Sequence, residues 1–374
     1  MHGKLVDNRV LMDFDEPELH QMGYGRIKKD EKEQTDKDQK VKQTRQLELS
    51  LEEAVYLLDR NTISVSLDEQ PLNLKDLFIE ASCRIPDFEA RYITYKDLRG
   101  RGYYIQPSKF GFRLYPRGGK PGKTPASFYV FVAPEREIVP VADLIAMLDT
   151  VINIRKRLMT AIVDEEGDIT FYEVTDVTMK GEREPPCDIT AAATFLNDRC
   201  IVWEDADVDK LHTYSLGKMV DDTRLQLSLV EAGYLLKKGL ITITIATPIT
   251  TTFLDTKDDR QNDMQRELDI GSLSALCSGI DPDFPHRFTA YCDLMDSGMI
   301  PKTGFKFGSH FRVYEGGDLK HSRFLVHAIT SDHTFVLQVL SRAVRLANSV
   351  HKEMVFAVVD GGDVRYVSIN RAKP

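Results

Sequence analysis

The sequence predicts a mixed α/β (α+β) protein built from two tandem copies of one domain, and three observations carry that prediction. The first is internal repetition. "YITYKDLRGRGYYI", "KFGFRLY" and "NIRKRLMTAIVD" in the first half are answered by "FTAYCDLMDSGMIP", "KFGSHFRVY" and "NSVHKEMVFAVVD" in the second. Phe128 to Lys156 and Phe324 to Lys352 span the same interval, so this part aligns without a gap, and such self-similarity sets the architecture before anything else. The second observation is that helical and strand-like periods alternate along each copy. The third is a capping serine at the same place in both, Ser50 and Ser228. The polar, proline-bearing "GEREPPCD" separates the copies, giving residues 1–185 and 186–374.

Each copy divides into two parts. The first part opens on a strand-like stretch, "LVDNRVLMDF" or "FLNDRCIVWED", and passes a glycine turn, "GYGR" or "SLGK". A helix follows, "LSLEEAVYLLDR" or "LSLVEAGYLLKKG"; Ser50 with Glu53, and Ser228 with Glu231, have the spacing of a capping box. The first copy inserts a charged run from Lys28 to Lys42 that lacks apolar periodicity, expected as a loop or a solvated helix and assigned no function. The second part reads helix, three or four strands, helix and closing hairpin. In "TFVLQVLSRAVRLANSVHKEM", Val336, Leu340, Val344, Ala347, Val350 and Met354 recur at helical spacing and predict one buried face. Arg345 and Lys352, two turns apart, are expected on another face. The hairpins "LMTAIVDEEGDITFYEV" and "MVFAVVDGGDVRYVSI" both turn on Asp and Gly.

Composition narrows the class. At 374 residues the chain is long enough for two domains with their own cores, and 42% hydrophobic with 29% charged residues is ordinary for a globular protein. No apolar run approaches the ~18 residues of a membrane span and no signal peptide opens the chain, so the expected location is cytoplasmic, without a membrane partner. Five cysteines, an odd number with no CxxC pair, suit reduced thiols better than disulfides or a zinc site. The net charge of −9 argues against a nucleic-acid partner when taken alone, but its distribution argues otherwise. Acidic residues gather in "DFDEPE", "KKDEKEQTDKDQK" and "WEDADVD"; Lys302, Lys306, Arg312, Lys320, Arg323, Arg342, Arg345, Lys352 and Arg371 crowd the last quarter of the second copy, where they can form a phosphate-binding face.

Chemistry concentrates in that same stretch. Tyr314 ends the strand "HFRVY", His321 is expected to open the next, and the loop between them is short, so a phenol and an imidazole can converge. If the last long helix packs across this sheet, Lys352 joins them. Tyrosine, histidine and lysine without a carboxylate cluster suit phosphoryl chemistry in which the substrate supplies its own nucleophile, such as an RNA 2′-hydroxyl. Other motifs fail. "RGGKPGKT" resembles a phosphate loop, but Arg117 stands where its first glycine must be and a strand follows. His310, His321, His327 and His333 are dense, yet no ligand spacing with carboxylates or cysteines accompanies them, so neither a metal nor another cofactor is expected.

"KTGFKFGSHFRVY", "HSRFLVH" and "RLANSVHKEMVFAVVDGGDVRY" resemble the catalytic half of the archaeal tRNA-splicing endonucleases, the tRNA-intron lyases, and a double-length chain resembles the homodimeric form of that family. The resemblance implies two tandem endonuclease domains, each with a small N-terminal α/β subdomain and a mixed-sheet, nuclease-like C-terminal one. It implies metal-independent excision of introns from precursor tRNA at bulge-helix-bulge motifs, leaving 2′,3′-cyclic phosphate and 5′-hydroxyl ends. Carried over by position, the general base falls on Tyr314, the general acid on His321, and the transition-state cation on Lys352. The arginine pair that sandwiches a bulged base falls on Arg345 and, with looser register, on Arg371. His310 is placed as a further substrate contact. The first copy keeps Tyr115 and Lys156 but answers His321 with Pro125, Arg345 with Asp149 and Arg371 with Thr175 or Asp176, so it is expected to scaffold rather than cut. Its acidic loop, Asp164, Glu165, Glu166 and Asp168, matches the family's docking loop and is expected at a homodimer interface. The alternatives are a non-catalytic RNA-binding or assembly subunit, against which the three catalytic residue types together argue, and a metal-dependent nuclease, which would need clustered acidic ligands that the second copy's core lacks.

Overall fold

A computed structural model of the chain describes residues 1–13, 18–29, 45–108, 110–203, 206–246, 265–316 and 319–374. The charged insert from residue 30 onward, and Gly317 and Asp318 of the loop before His321, lie outside the described residues. Two compact units are present: Met1–Thr175 with Thr334–Arg342 and Asn370–Pro374, and Asp176–His333 with Ala343–Ile369.

In the first copy the elements are β1 (His2–Val6), β2 (Arg9–Asp13), α1 (Glu18–Gln21), β3 (Arg26–Lys29), β4 (Arg45–Ser50), α2 (Leu51–Asp59), β5 (Ser64–Leu67), β6 (Gln70–Leu72) and α3 (Leu74–Arg84). Its second part comprises α4 (Phe88–Gly100), β7 (Ile105–Ser108), β8 (Gly111–Leu114), β9 (Phe128–Pro134), β10 (Ile138–Pro140), α5 (Val141–Asn153), β11 (Arg157–Val163) and β12 (Ile169–Asp176). The second copy repeats the plan: β13 (Ala191–Leu196), β14 (Arg199–Val202), α6 (Val208–Thr213), β15 (Lys218–Met219), β16 (Leu225–Ser228), α7 (Leu229–Lys237), β17 (Ile241–Ala246), β18 (Gln265–Glu267) and α8 (Ile270–Ile280). Then come α9 (Phe284–Asp296), β19 (Ile300–Thr303), β20 (Phe311–Tyr314), β21 (Phe324–Thr330), β22 (Thr334–Val336), α10 (Leu337–Ser349), β23 (Glu353–Asp360) and β24 (Asp363–Arg371).

Topology confirms the repeat. The N-terminal sheets run β3-β4-β2-β1-β5-β6 and β15-β16-β14-β13-β17-β18, the same order element for element. In the C-terminal parts the order β12-β11-β9-β8-β7 matches β24-β23-β21-β20-β19. The central pairs, β9 with β11 and β21 with β23, are parallel, and each is joined by a crossover carrying α5 or α10. Each opening stretch expected as one strand is in fact a hairpin, folded back where Asp7 and Asn197 take positive φ (49° and 56°), as Asx residues tolerate.

Both capping boxes form, and their glutamates reach further than the box requires. Glu53 also accepts the amide of Gly25 at 3.0 Å, and Glu231 that of Gly217 at 3.0 Å, which ties each glycine turn to the helix start. Gly25 and Gly217 sit at φ 66°, and a Cβ on Gly217 would meet the Gln226 carbonyl at 2.7 Å, so no other residue fits. The two parts of each copy share one core, with an edge-on tyrosine pair at its centre: Tyr56 on Tyr95 at 5.6 Å in the first, Tyr234 on Tyr291 at 6.0 Å in the second.

The last helix differs from its prediction. Leu340, Val344 and Ala347 are buried along α10, but Val336 belongs to β22 and Met354 to β23. Lys352 is not on the helix at all. The chain leaves α10 through a Schellman motif, with Lys352 N–H donating to Ala347 O at 2.9 Å, His351 N–H to Asn348 O at 3.1 Å, and His351 at φ 56°. The first copy has the same device: Lys156 N–H to Val151 O at 2.9 Å, Arg155 N–H to Ile152 O at 2.8 Å, and Arg155 at φ 54°. The two lysines are therefore in register because one backbone exit places both.

Candidate active site

Tyr314 closes β20, buried, with Ile300 of β19 as its antiparallel partner. Among the described residues its hydroxyl has no hydrogen-bond partner, and the Arg312 guanidinium lies 5.9 Å from its ring centre. His321 does not open the next strand as expected. The last rung between β20 and β21 is Val313 with Phe324, and β21 begins at Phe324, so His321 stands exposed on the loop before it. One residue on, the carbonyl of Ser322 accepts from the Lys352 ammonium at 2.6 Å. The loop is clamped at its base by Arg323, which donates to Glu315 at 2.8 Å across the loop and to Glu353 on β23 at 3.1 Å. His321 stands two residues before this clamp and is exposed.

Lys352 thus reaches the backbone next to His321, and its ammonium also stands 5.9 Å from the ring centre of Phe307. Partial burial, with Arg312 adding repulsion, holds its pKa below the ordinary lysine value. Arg312 thus stands near the Tyr314 ring and adds positive charge to the surroundings of Lys352. Arg312, the Ser322 carbonyl and the Arg323 clamp were not picked out individually by sequence reasoning. The signal was there in the opposite charges at 315, 323 and 353, but only strand pairing makes them neighbours.

The remaining expected residues scatter. Arg345 is exposed on α10; Arg371 is the exposed last residue of β24 and falls with Asn370–Pro374 in the first unit. His310 stacks on His327 with ring centres 4.0 Å apart and 22° between planes, and its Nδ1 accepts the Ala328 amide at 3.1 Å. Burial, then the neighbouring His327, Arg287 and His286, push its pKa down to about 3, so it is a neutral imidazole whose proton sits on Nε2. No group of three or more His, Cys, Asp or Glu among the described residues is arranged to hold a metal.

In the acidic loop, Asp164 is consumed by its own turn, accepting the amides of Glu166 at 3.0 Å and Asp168 at 2.8 Å, and Glu165 pairs with Arg136 of the same unit. Glu166 and Asp168 are exposed.

The first copy supplies an internal comparison. Tyr115 donates to Gln106 at 2.9 Å, and burial raises its pKa. Its hydroxyl is thus engaged where that of Tyr314 is open among the described residues. Asp149, which stands for Arg345, lies on α5.

Comparison with known proteins agrees with the repeat. The family model described as tRNA intron endonuclease, catalytic C-terminal domain, matches residues 88–171 and again 284–366. The model for the N-terminal domain of the same family matches residues 1–78 and 191–254. A tRNA-splicing endonuclease of Methanococcoides burtonii is 46% identical over 334 residues, 87% of this chain and 90% of its own length. Those of Halobacterium salinarum and Haloferax volcanii are 34% and 32% identical, over 87% and 88% of the chain and 90% of their own length.

Proposed function

Because the chain belongs to the tRNA intron endonuclease family, we propose that it excises introns from precursor tRNA by cutting at bulge-helix-bulge motifs without a metal. The reaction is a transesterification. The 2′-hydroxyl beside the scissile bond loses its proton to Tyr314 and attacks the adjacent phosphorus. The P–O5′ bond breaks, and the 5′-oxygen takes a proton from His321. Lys352 holds the negative charge that grows on the non-bridging oxygens. A 2′,3′-cyclic phosphate and a 5′-hydroxyl remain. The observation that carries this reading is the bond from Lys352 to Ser322 O at 2.6 Å, one residue from His321. Arg345 and Arg371 grip the bulged base by stacking and cation-π contact, which reads shape more than sequence. The first copy, residues 1–185, scaffolds, and the second, 186–374, cuts.

The test is a gel of a bulged precursor RNA incubated with the protein and a chelator. Cleavage should persist, and mass measurement of the 5′ fragment should give a cyclic phosphate. Loss of cleavage restored by a divalent cation would overturn metal independence.

We further propose a two-fold homodimer. One chain carries one complete triad, excision takes two cuts, and closed two-fold symmetry is the commonest way to present two sites together. The acidic loop of the first copy contacts basic residues of the second subunit through Glu166 and Asp168, because Asp164 and Glu165 are engaged within the chain. Sedimentation should give about twice the chain mass for the parent. Glu166→Lys combined with Asp168→Lys should weaken the dimer and make it more salt-sensitive. An active monomer overturns the dimer; an unchanged dimer in the double variant overturns only the loop's part in it.

A further inference from the structure

Below the glycine turn, each copy has a cavity where its N-terminal part meets its first C-terminal strands. In the first copy Gly25, Arg26, Glu48, Ser50, Glu53 and Gln106 line it, and in the second the matching Gly217, Lys218, Gln226, Ser228, Glu231 and Lys302 do so. The first cavity is about 30 Å³ and the second about 460 Å³, large enough for a small organic ligand. Tyr314 and Arg312 form part of the larger cavity's wall; His321 and Lys352 do not.

The two cavities also differ in charge. In the first, Glu48 on the wall pairs with Arg9 at 3.1 Å, while the buried Glu52 next to the lining residue Glu53 is not itself on the wall and pairs with Arg91 at 2.6 Å. In the second, Glu48 has become Gln226 and Glu52 has become Val230, while Gln106 has become Lys302. The remaining carboxylate, Glu231, is already held by Lys302 at 3.0 Å and by two backbone amides. Lys218, Arg287 and Arg312 face the space, and Arg287 makes its ion pair with Asp281 instead. The Nε atoms of Arg287 and Arg312 and the hydroxyl of Tyr291, which is 2% exposed, are buried there without partners among the described residues. Arg113 and Tyr95 repeat two of these orphans in the first copy, so it is volume and lost carboxylates that set the second cavity apart. His310, present only in the second copy, lines the cavity as a neutral donor through Nε2.

We propose that this cavity is a nucleotide subsite, holding one phosphate-bearing nucleotide of the substrate RNA beside the bond that is cut. Arg312, Arg287 and Lys218 take the phosphate oxygens, and Tyr291, Phe311 and Tyr314 provide aromatic wall for the sugar and base. The assignment deepens the endonuclease reading and rests on it.

Two variants, Gln226→Glu and Val230→Glu, install carboxylates that the first copy already carries at the same places, so both are compatible with the fold. The probe is a bulged precursor RNA with a 2′-deoxyribonucleotide at the cleavage position, which binds without reacting. Each variant should raise its Kd about tenfold and flatten the salt dependence by about one unit of slope. Adenosine 5′-monophosphate should bind the parent chain in calorimetry and bind neither variant. Parental Kd in both variants at unchanged thermal midpoint would overturn the proposal, as would a parent that binds no adenosine 5′-monophosphate at millimolar concentration. Inorganic phosphate binding as tightly as the nucleotide would reduce the site to a phosphate site and overturn the nucleotide claim. If the parent cuts no precursor RNA, it is the endonuclease reading that fails, an outcome separable from these.

Discussion

Replacing His321 by alanine should slow single-turnover cleavage of a bulged precursor RNA about 10²- to 10⁴-fold, the usual worth of a positioned acid, while binding of that RNA changes little. The expectation of unchanged binding comes from the structure. His321 is exposed, outside the β20 to β21 ladder, on a loop whose base is clamped by Arg323 to Glu315 and Glu353, so truncation removes a proton donor and leaves the packing alone. The loss should be rescued in part by an RNA carrying a 5′-thio leaving group, which departs without a proton. A variant that cuts the unmodified RNA at the parental rate would remove His321 from the mechanism. A variant that loses affinity as much as rate would make it a binding residue.

Replacing Lys352 by methionine should lower the rate about 10²- to 10³-fold, as removal of one donor to a developing oxyanion does elsewhere, and Lys156→Met should leave the rate at the parental value. Both lysines leave a helix through the same Schellman exit, so the pair tests position against environment. A pH profile adds a second readout. Burial and Arg312 lower the pKa of Lys352, so its ammonium is lost on raising the pH through a value below the ordinary lysine range. Loss of the Lys352 charge should therefore lower the parent rate in alkali, a fall that Lys352→Met should not show. A profile that falls steadily from pH 6 to 9 would count against Tyr314 as the base, and equal losses from Lys352→Met and Lys156→Met would mean that the two copies are not specialised.

The parts of this protein that could be read along the chain are those made by residues close together in sequence. The capping boxes at Ser50 and Ser228 need only the third residue beyond them, and both form. The closing hairpins turn where Asp and Gly announced a turn. The repeat itself needed only comparison of one half with the other, and the two similar sequences fall into the same strand order. The opening hairpins were misread as single strands because their turns use Asp7 and Asn197 in a left-handed conformation with no glycine to mark them.

Long-range geometry could not be read this way. Lys352 is aimed by a helix exit at His351, a non-glycine residue at positive φ that carries no sequence mark, and helical counting placed it on a face that does not exist. His321 lies off its strand, and the Ser322 carbonyl beside it accepts from Lys352, a residue far along the chain. The exchanges of Glu48 for Gln226 and Glu52 for Val230 are plain in the alignment, but that Gln226 and Val230 line one cavity with Tyr314, leaving Glu231 as its carboxylate, follows only from strand pairing between distant segments. Local hydrogen bonds and hydrophobic period are determined by neighbours in sequence, so the sequence by itself determined the capped helices, the closing hairpins and the duplication. Which side chains share a pocket depends on register and on how layers close over a common core, and that was decided by the tertiary structure alone.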